Sequence, residues 1–217
     1  SIDRDYICQA IDRSVRQVIK ADFIAIGLFT PDRDQHEIVY LRIEDTIGSK
    51  AHRPAGAGFL GHVMTTGNRY VRNTDVLDLL RLHQAIIYTP EGKTLTATEN
   101  ETPIEALLAV PIKLGTSIVG AITLQSGVKD CPYTEEDAAW LEAIANQAAT
   151  AFENARLYAS QREETERRGR LYAGSQAISI SIDREQVCAA IHQTLAAVLH
   201  VDGISIGLVS PDARTHD

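Results

Sequence analysis

His52, His62 and His83 are the strongest chemical candidates in the first hundred residues. Three imidazoles brought together could hold a metal ion, and one alone could ligate haem. No carboxylate stands at ligand spacing beside His62 to orient its ring, so the sequence favours a histidine satisfied at the edge of a core. Arg42 and Arg53 could pair with an anionic ligand, although a lone arginine is usually a solvated charge. Gly56, Gly58 and Gly61 open a short helix without the Lys-Ser/Thr ending or the strand-helix-strand setting that phosphate binding needs, and they read as tight backbone turns. Cys8, Cys131 and Cys188 are too few and too scattered for a disulfide framework or a zinc site. Cys8 and Cys188 fall among apolar residues at helical spacing and read as small buried hydrophobes, whereas Cys131, next to Pro132, reads as a loop thiol. No nucleophile stands with a base at motif spacing and no paired-carboxylate or metal motif is present, so no catalytic residue and no metal ligand is assigned.

The elements that position these residues follow from periodicity and turn chemistry. Asp3 can cap a helix running to about Lys20, and 23–29 and 37–43 read as a strand hairpin turned at Thr30-Pro31-Asp32. Residues 54–67 form a glycine-rich entry to a short helix that ends at Gly67, followed by a strand at 69–72 and a short helix at 75–83. From 84 to 103 the pattern is polar and irregular, a long loop of the kind that covers or forms a site. The strongest strands are 107–113 and 117–125, and Thr134-Glu-Glu-Asp137 starts a helix that keeps its periodicity to about residue 180.

The chain also repeats itself. Ile2-Asp3-Arg4, Cys8, Ala10, Ile11, Val18, Asp22, Ile24, Ile26-Gly27-Leu28, Pro31-Asp32 and His36 recur, without gaps, as Ile182-Asp183-Arg184, Cys188, Ala190, Ile191, Val198, Asp202, Ile204, Ile206-Gly207-Leu208, Pro211-Asp212 and His216. A helix-strand unit returning after one domain length indicates a tandem array. The expected organisation is one domain at 1–160, a long connecting helix at 134–180 that overlaps its last element, and the opening of a second copy at 176–217, cut from a larger modular protein. With so little of a second domain to bury, residues 183–217 are expected to be ordered only by docking on another copy of the chain.

Three segments carry a resemblance to the GAF domain: PAGAGFLGHVMTTG at 54–67, LLAVPIKLGTSIVGAITLQS at 107–126 and YTEEDAAWLEAIANQAATAFENARLY at 133–158. The resemblance implies an α/β fold of the α+β type, with a six-stranded antiparallel sheet, a small-ligand pocket on one face and the first and last helices on the other. It implies a sensory or regulatory module upstream of a histidine kinase, a cyclic-nucleotide enzyme or a transcriptional output. The residue series that marks cyclic-nucleotide binders is missing, and residues 54–106 offer no cysteine to hold a bilin, so the cofactor is left unknown. A small redox enzyme of the same fold, like methionine sulfoxide reductase, is the alternative, but it would need reactive cysteines near the pocket. From topology alone, the pocket is expected to be lined by Arg42, Phe59, His62, Asp75 and Tyr88.

The long helix supplies the relay. Leu141, Ile144, Ala148, Ala151, Ala155 and Tyr158 step by three and four, the seam spacing of helices packed side by side, which predicts a homodimer. Glu163 with Arg167, Glu164 with Arg168 and Glu166 with Arg170 are same-face pairs, and Gly169 and Gly174 mark an expected hinge. A net charge of −8 over 217 residues, with 44% hydrophobic and 23% charged residues, fits a globular cytoplasmic module and disfavours nucleic acid or an anionic membrane as partner. No apolar run approaches the length needed to cross a bilayer.

Overall fold

The computed structural model describes residues 4–48, 51–88, 94–97, 104–128, 132–180, 184–201 and 203–207. In chain order the first elements are α1 (Arg4–Val18), β1 (Phe23–Phe29), β2 (Gln35–Ile43), β3 (Thr46–Ile47), β4 (Ala51–Pro54), α2 (Gly58–Thr66) and β5 (Tyr70–Arg72). They are followed by α3 (Val76–Leu82), β6 (Ile86–Tyr88), β7 (Thr94–Thr96), β8 (Ala106–Leu114), β9 (Ser117–Ser126), α4 (Glu135–Ile180) and α5 (Arg184–Val198). The chain divides into two units, Ser1–Ala155 and Arg156–Asp217.

In the first unit, β3-β2-β1-β9-β8-β5 form an antiparallel sheet, and β4 also pairs with β2. The sheet therefore has seven strands where six were expected, because 46–54 supplies two short strands too brief for an alternation signal. The expected loop at 84–103 likewise contains a separate two-stranded ladder of β6 and β7.

Alternation along the strands divides the core. Ile24, Ile26, Leu28, Leu108, Val110, Ile112, Ile122 and Leu124 face α1 and α4. Helix α1 meets them with Ile7, Cys8, Ile11 and Val15, and α4 with Ala138, Leu141, Ala145, Ala149 and Phe152. On the other face, Leu107, Ala109 and Ala121 pack under Phe59, Val63 and Met64 of α2 and Val76 and Leu80 of α3. A bulge interrupts this order: β1 pairs Ile26 with Tyr40 and Gly27 with Ile38, leaving Val39 as the extra residue.

Helix α4 begins with a reciprocal cap, in which the Asp137 amide donates to Thr134 Oγ1 at 3.1 Å and the Thr134 amide to Asp137 Oδ2 at 2.8 Å. It runs unbroken through Gly169 and Gly174, so the expected hinge is not a break in the helix. The glycine cost is about 1 kcal/mol per residue, which a helix this long absorbs.

In the second unit, Glu164 pairs with Arg168 as expected, while Glu166 accepts from Arg162 at 3.0 Å. Helix α5 occupies the same stretch of the repeat as α1. It approaches α4 so closely at Gly174 that any Cβ there would strike Thr194. Ordering solely through another chain is thus corrected for α5, which finds a partner helix in its own chain. Residues 203–207 form no ladder, and 208–217 lie outside the described residues.

Candidate functional site

Beneath α2, α3 and β6 the second face of the sheet bounds a partly open cavity of about 170 Å³. Its apolar wall includes Phe23, Ala25, Ile38, Phe59, Leu80 and Ile87, and its polar lining comes from His36, Arg53, Gln84, Thr123 and Gln125. The backbone turn that holds α2 here depends on glycine: Gly67 ends the helix at φ 68°, donating its amide to Val63 O.

His36, which recurs in the repeat as His216, is the lining residue that the sequence reading did not assign to the pocket. The residue is 1% exposed, and neither ring nitrogen makes a hydrogen bond of good geometry among the described residues, although the Pro54 carbonyl lies close enough to favour the protonated ring. A buried polar group left unpartnered costs about 1–3 kcal/mol, so such positions call for a reason. The ring is trapped by α2, where a Cβ at Gly61 would lie 3.0 Å from His36 Cε1 and 2.7 Å from the Gly56 carbonyl carbon. Gly61→Ala should therefore lift α2 off the sheet, lower the unfolding free energy by about 1–3 kcal/mol in urea denaturation and shift the His36 ring resonances. Retained stability with unmoved resonances would contradict this packing.

Of the five residues expected to line the pocket, Phe59 does so. Arg42 does not. It is 3% exposed on the opposite face, where Nε donates to Asp12 Oδ1 at 2.9 Å, and the Tyr40 hydroxyl donates to Asp12 Oδ2 at 2.9 Å. Burial first, and then the bond to Asp12, push the Tyr40 hydroxyl up to about 12. The Val39 bulge is the reason: strict alternation would put Arg42 on the same face as Ile38, and the extra residue turns it over. Asp75 is exposed and caps α3 through its backbone, at φ 55°, without lining the cavity. Tyr88 lies on β6, and its side chain is outside the described residues.

His62 lies beside the cavity wall. Its Nε2 shares a 2.7 Å hydrogen bond with the Tyr70 hydroxyl, and its ring stacks on His83 with centroids 3.9 Å apart. Phe59 meets Tyr70 edge-on at 5.2 Å, so one aromatic cluster joins α2 to the end of α3. His52 is exposed on β4 and takes no part. No group of three or more metal-ligating side chains occurs among the described residues.

Burial first, then the adjacent His62, lower the His83 pKa below the ordinary 6.5. Burial lowers that of His36 too, with the Pro54 carbonyl opposing and Arg53 adding. Both imidazoles bind fewer protons folded than unfolded below that value, so stability rises with pH through the window beneath 6.5 and is lost as pH falls. Denaturation at about pH 5.5 should give a lower unfolding free energy than at about pH 7.5, and His83→Gln should narrow the gap. An unchanged gap in that variant would remove His83 from the explanation.

The predicted relay seam is placed differently from expectation. Leu141, Ala148 and Ala155 are buried in the domain's own core, and Ile144 and Ala151 are half-buried against it. Only Tyr158 is exposed, at 65%. An apolar stripe at three- and four-residue steps states that a partner exists, and for most of this one the partner is the sheet. Trp140, on the same helix, is half-exposed.

Comparison with known proteins places this arrangement. The model of the family described as GAF domain matches residues 1–153. The GAF domain of a two-component sensor histidine kinase from Bacillus halodurans aligns over 73% of this chain and 99% of its own, at 16% identity and a TM-score of 0.52. The GAF domain of a phosphoenolpyruvate-protein phosphotransferase from Coxiella burnetii aligns over 72% and 85%, at 15% identity and 0.50. A far-red cyanobacteriochrome photoreceptor aligns over 70% and 87%, at 15% identity and 0.50. At these identities the likeness is one of fold.

Proposed function

The chain belongs to the GAF domain family, and on that premise we propose that it is a small-ligand sensory or regulatory module of a multidomain signalling protein. The observation that carries this reading is the double use of β2. His36 and Ile38 line the cavity on one face, while Tyr40 and Arg42 hold Asp12 of α1 on the other. A ligand that moves β2 or the elements closing over it shifts the packing of α1, and with it the core shared with α4. Helix α4 then carries the bias to a histidine kinase or cyclic-nucleotide-type output domain.

Self-association through α4 belongs to the same proposal, but on a different surface from the buried seam. Leu157, Tyr158, Leu171 and Tyr172 are exposed, and each of the first two recurs as the same residue type two heptads on. We place the module in the cytoplasm, without nucleic acid or membrane as partner, because the net charge is −8. No helix among the described residues is long and apolar enough to cross a membrane.

A panel of small metabolites titrated into the isotope-labelled full chain tests the reading by nuclear magnetic resonance. At least one is expected to shift cavity amides such as Ile38 and Ala85 together with amides of α1. A panel that leaves the cavity silent, or shifts it without reaching α1, contradicts the proposal.

A further inference from the structure

Resting on the reading of the cavity as the ligand site, we propose that α3 is its lid and that the contact between His62 and His83 is an acid-sensitive latch holding that lid shut. Helix α3 and its exit supply Leu80, Gln84 and Ala85 to the cavity wall, while Val76 and Leu80 seat the helix on the second face of the sheet. Displacing this one short helix removes that part of the wall. Both of its ends are placed to turn. Asp75 enters α3 at φ 55° and Gln84 leaves it at φ 49°, so the helix hangs between two side-chain-bearing residues in the left-handed region. Such residues persist where surrounding contacts over-determine them, and residues at the ends of elements are the ones that absorb a hinge motion.

The contact that fastens the far end is made of two titratable rings. His83 closes α3, its amide donating to the Leu79 carbonyl at 3.3 Å, and its ring lies on that of His62 with centroids 3.9 Å apart. Both residues are half-buried, so protons reach them. Neutral imidazoles stack favourably, whereas two imidazolium rings at this distance repel, and half-burial leaves that repulsion only partly screened. His62 is fixed by the 2.7 Å bond between its Nε2 and the hydroxyl of Tyr70, on a strand paired with β8. The ring free to leave is therefore His83, on the short helix.

The surrounding charges leave this pair in control. Tyr70 is the titratable group that β5 brings to it, since Arg69 is held by Glu135 and Glu142 and Arg72 is exposed. On α3, Asp78 and Arg81 hold each other at 3.0 Å and Asp75 is exposed. Across the cavity stand His36 of β2 and Arg53 of β4. Among the described residues, His62 is the one charged group that acts on His83, and it adds to burial in favouring the neutral ring. Opening restores the ordinary proton affinity of His83, so falling pH draws α3 toward the open state and a ligand that needs the closed lid is released. By the same linkage, a ligand resting on α3 resists protonation of His83.

Amide hydrogen exchange of the full chain without ligand, at about pH 7.5 and about pH 5.5, tests the latch. Protection factors, which correct for the intrinsic effect of pH, are compared between β8 and β9 and the amides of Leu79, His83 and Ala85, which donate to Asp75, Leu79 and Leu80. An imidazole titrating near 6.5 is about nine-tenths protonated at pH 5.5, so protection at α3 should fall about five- to tenfold, and by more than in the strands. His83→Phe keeps a ring against His62 without its charge and should abolish that excess. Should circular dichroism find it unfolded, His62→Gln decides instead and should cut the excess by about half, because burial of His83 remains. Burial of His36 also favours a neutral ring, but that contribution survives in both variants and does not carry the difference. An equal fall in α3 and in the strands overturns the latch, as does an excess that survives unchanged in the folded variant. Either result leaves the sensory reading standing, since no ligand is used, and only a silent metabolite panel overturns that reading.

Discussion

Asp12→Ala is expected to lower the unfolding free energy of the domain by about 3 kcal/mol. Asp12 and Arg42 are 6% and 3% exposed, and their 2.9 Å pair joins α1 to β2 away from water. Removing one member of a buried pair costs about 3–5 kcal/mol, because the remaining charge is stranded. The lower end applies here, since the Arg42 guanidinium keeps the Glu44 carbonyl at 2.7 Å and the Ala21 carbonyl at 3.3 Å. The Tyr40 hydroxyl loses its acceptor at the same time. Urea denaturation followed by circular dichroism measures the effect, and a loss below about 1 kcal/mol, the level of a surface pair, would show that the network does not hold α1.

Leu141→Ala should cost about 2–5 kcal/mol, and the loss should not depend on protein concentration. Leu141 is fully buried among Ile7-type α1 residues and the strands of the first face. Truncating it leaves a void inside one chain, not at a junction between two. Denaturation at two concentrations a hundredfold apart distinguishes the cases. A midpoint that moves with concentration in the wild type, and ceases to move in the variant, would return Leu141 to a dimer seam.

Much of the fold was legible in the sequence because its signals are local. Strand β1 occupies Phe23–Phe29 as expected, β8 and β9 lie within a residue of expectation, and α3 fits between Asp75 and His83. Gly67 marks the end of α2 by the αL conformation that favours glycine. What escaped was decided by pairing at a distance. Nothing in the run Gln35–Ile43 announces that Val39 bulges, yet that residue decides that Ile38 serves the cavity while Arg42 serves α1.

His36 was illegible for a related reason. A single histidine in a short alternating strand looks like any half-exposed position, and its burial comes from α2, drawn close by Gly61 from another part of the chain. Its recurrence as His216 and its alternation with Ile38 were the available signals. The stripe on α4 was read correctly as a packing surface, but helical periodicity cannot say whether a sheet or a second helix fills it.

The central claim is that the cavity and the helical face communicate through the shared sheet, and amide hydrogen exchange of the full chain with and without a saturating cavity ligand tests it most directly. The account predicts slower exchange in β2 and α2, accompanied by a change in α1 and in α4 between 135 and 155. Protection confined to β2, α2 and α3, with α1 and α4 exchanging as before, would contradict it.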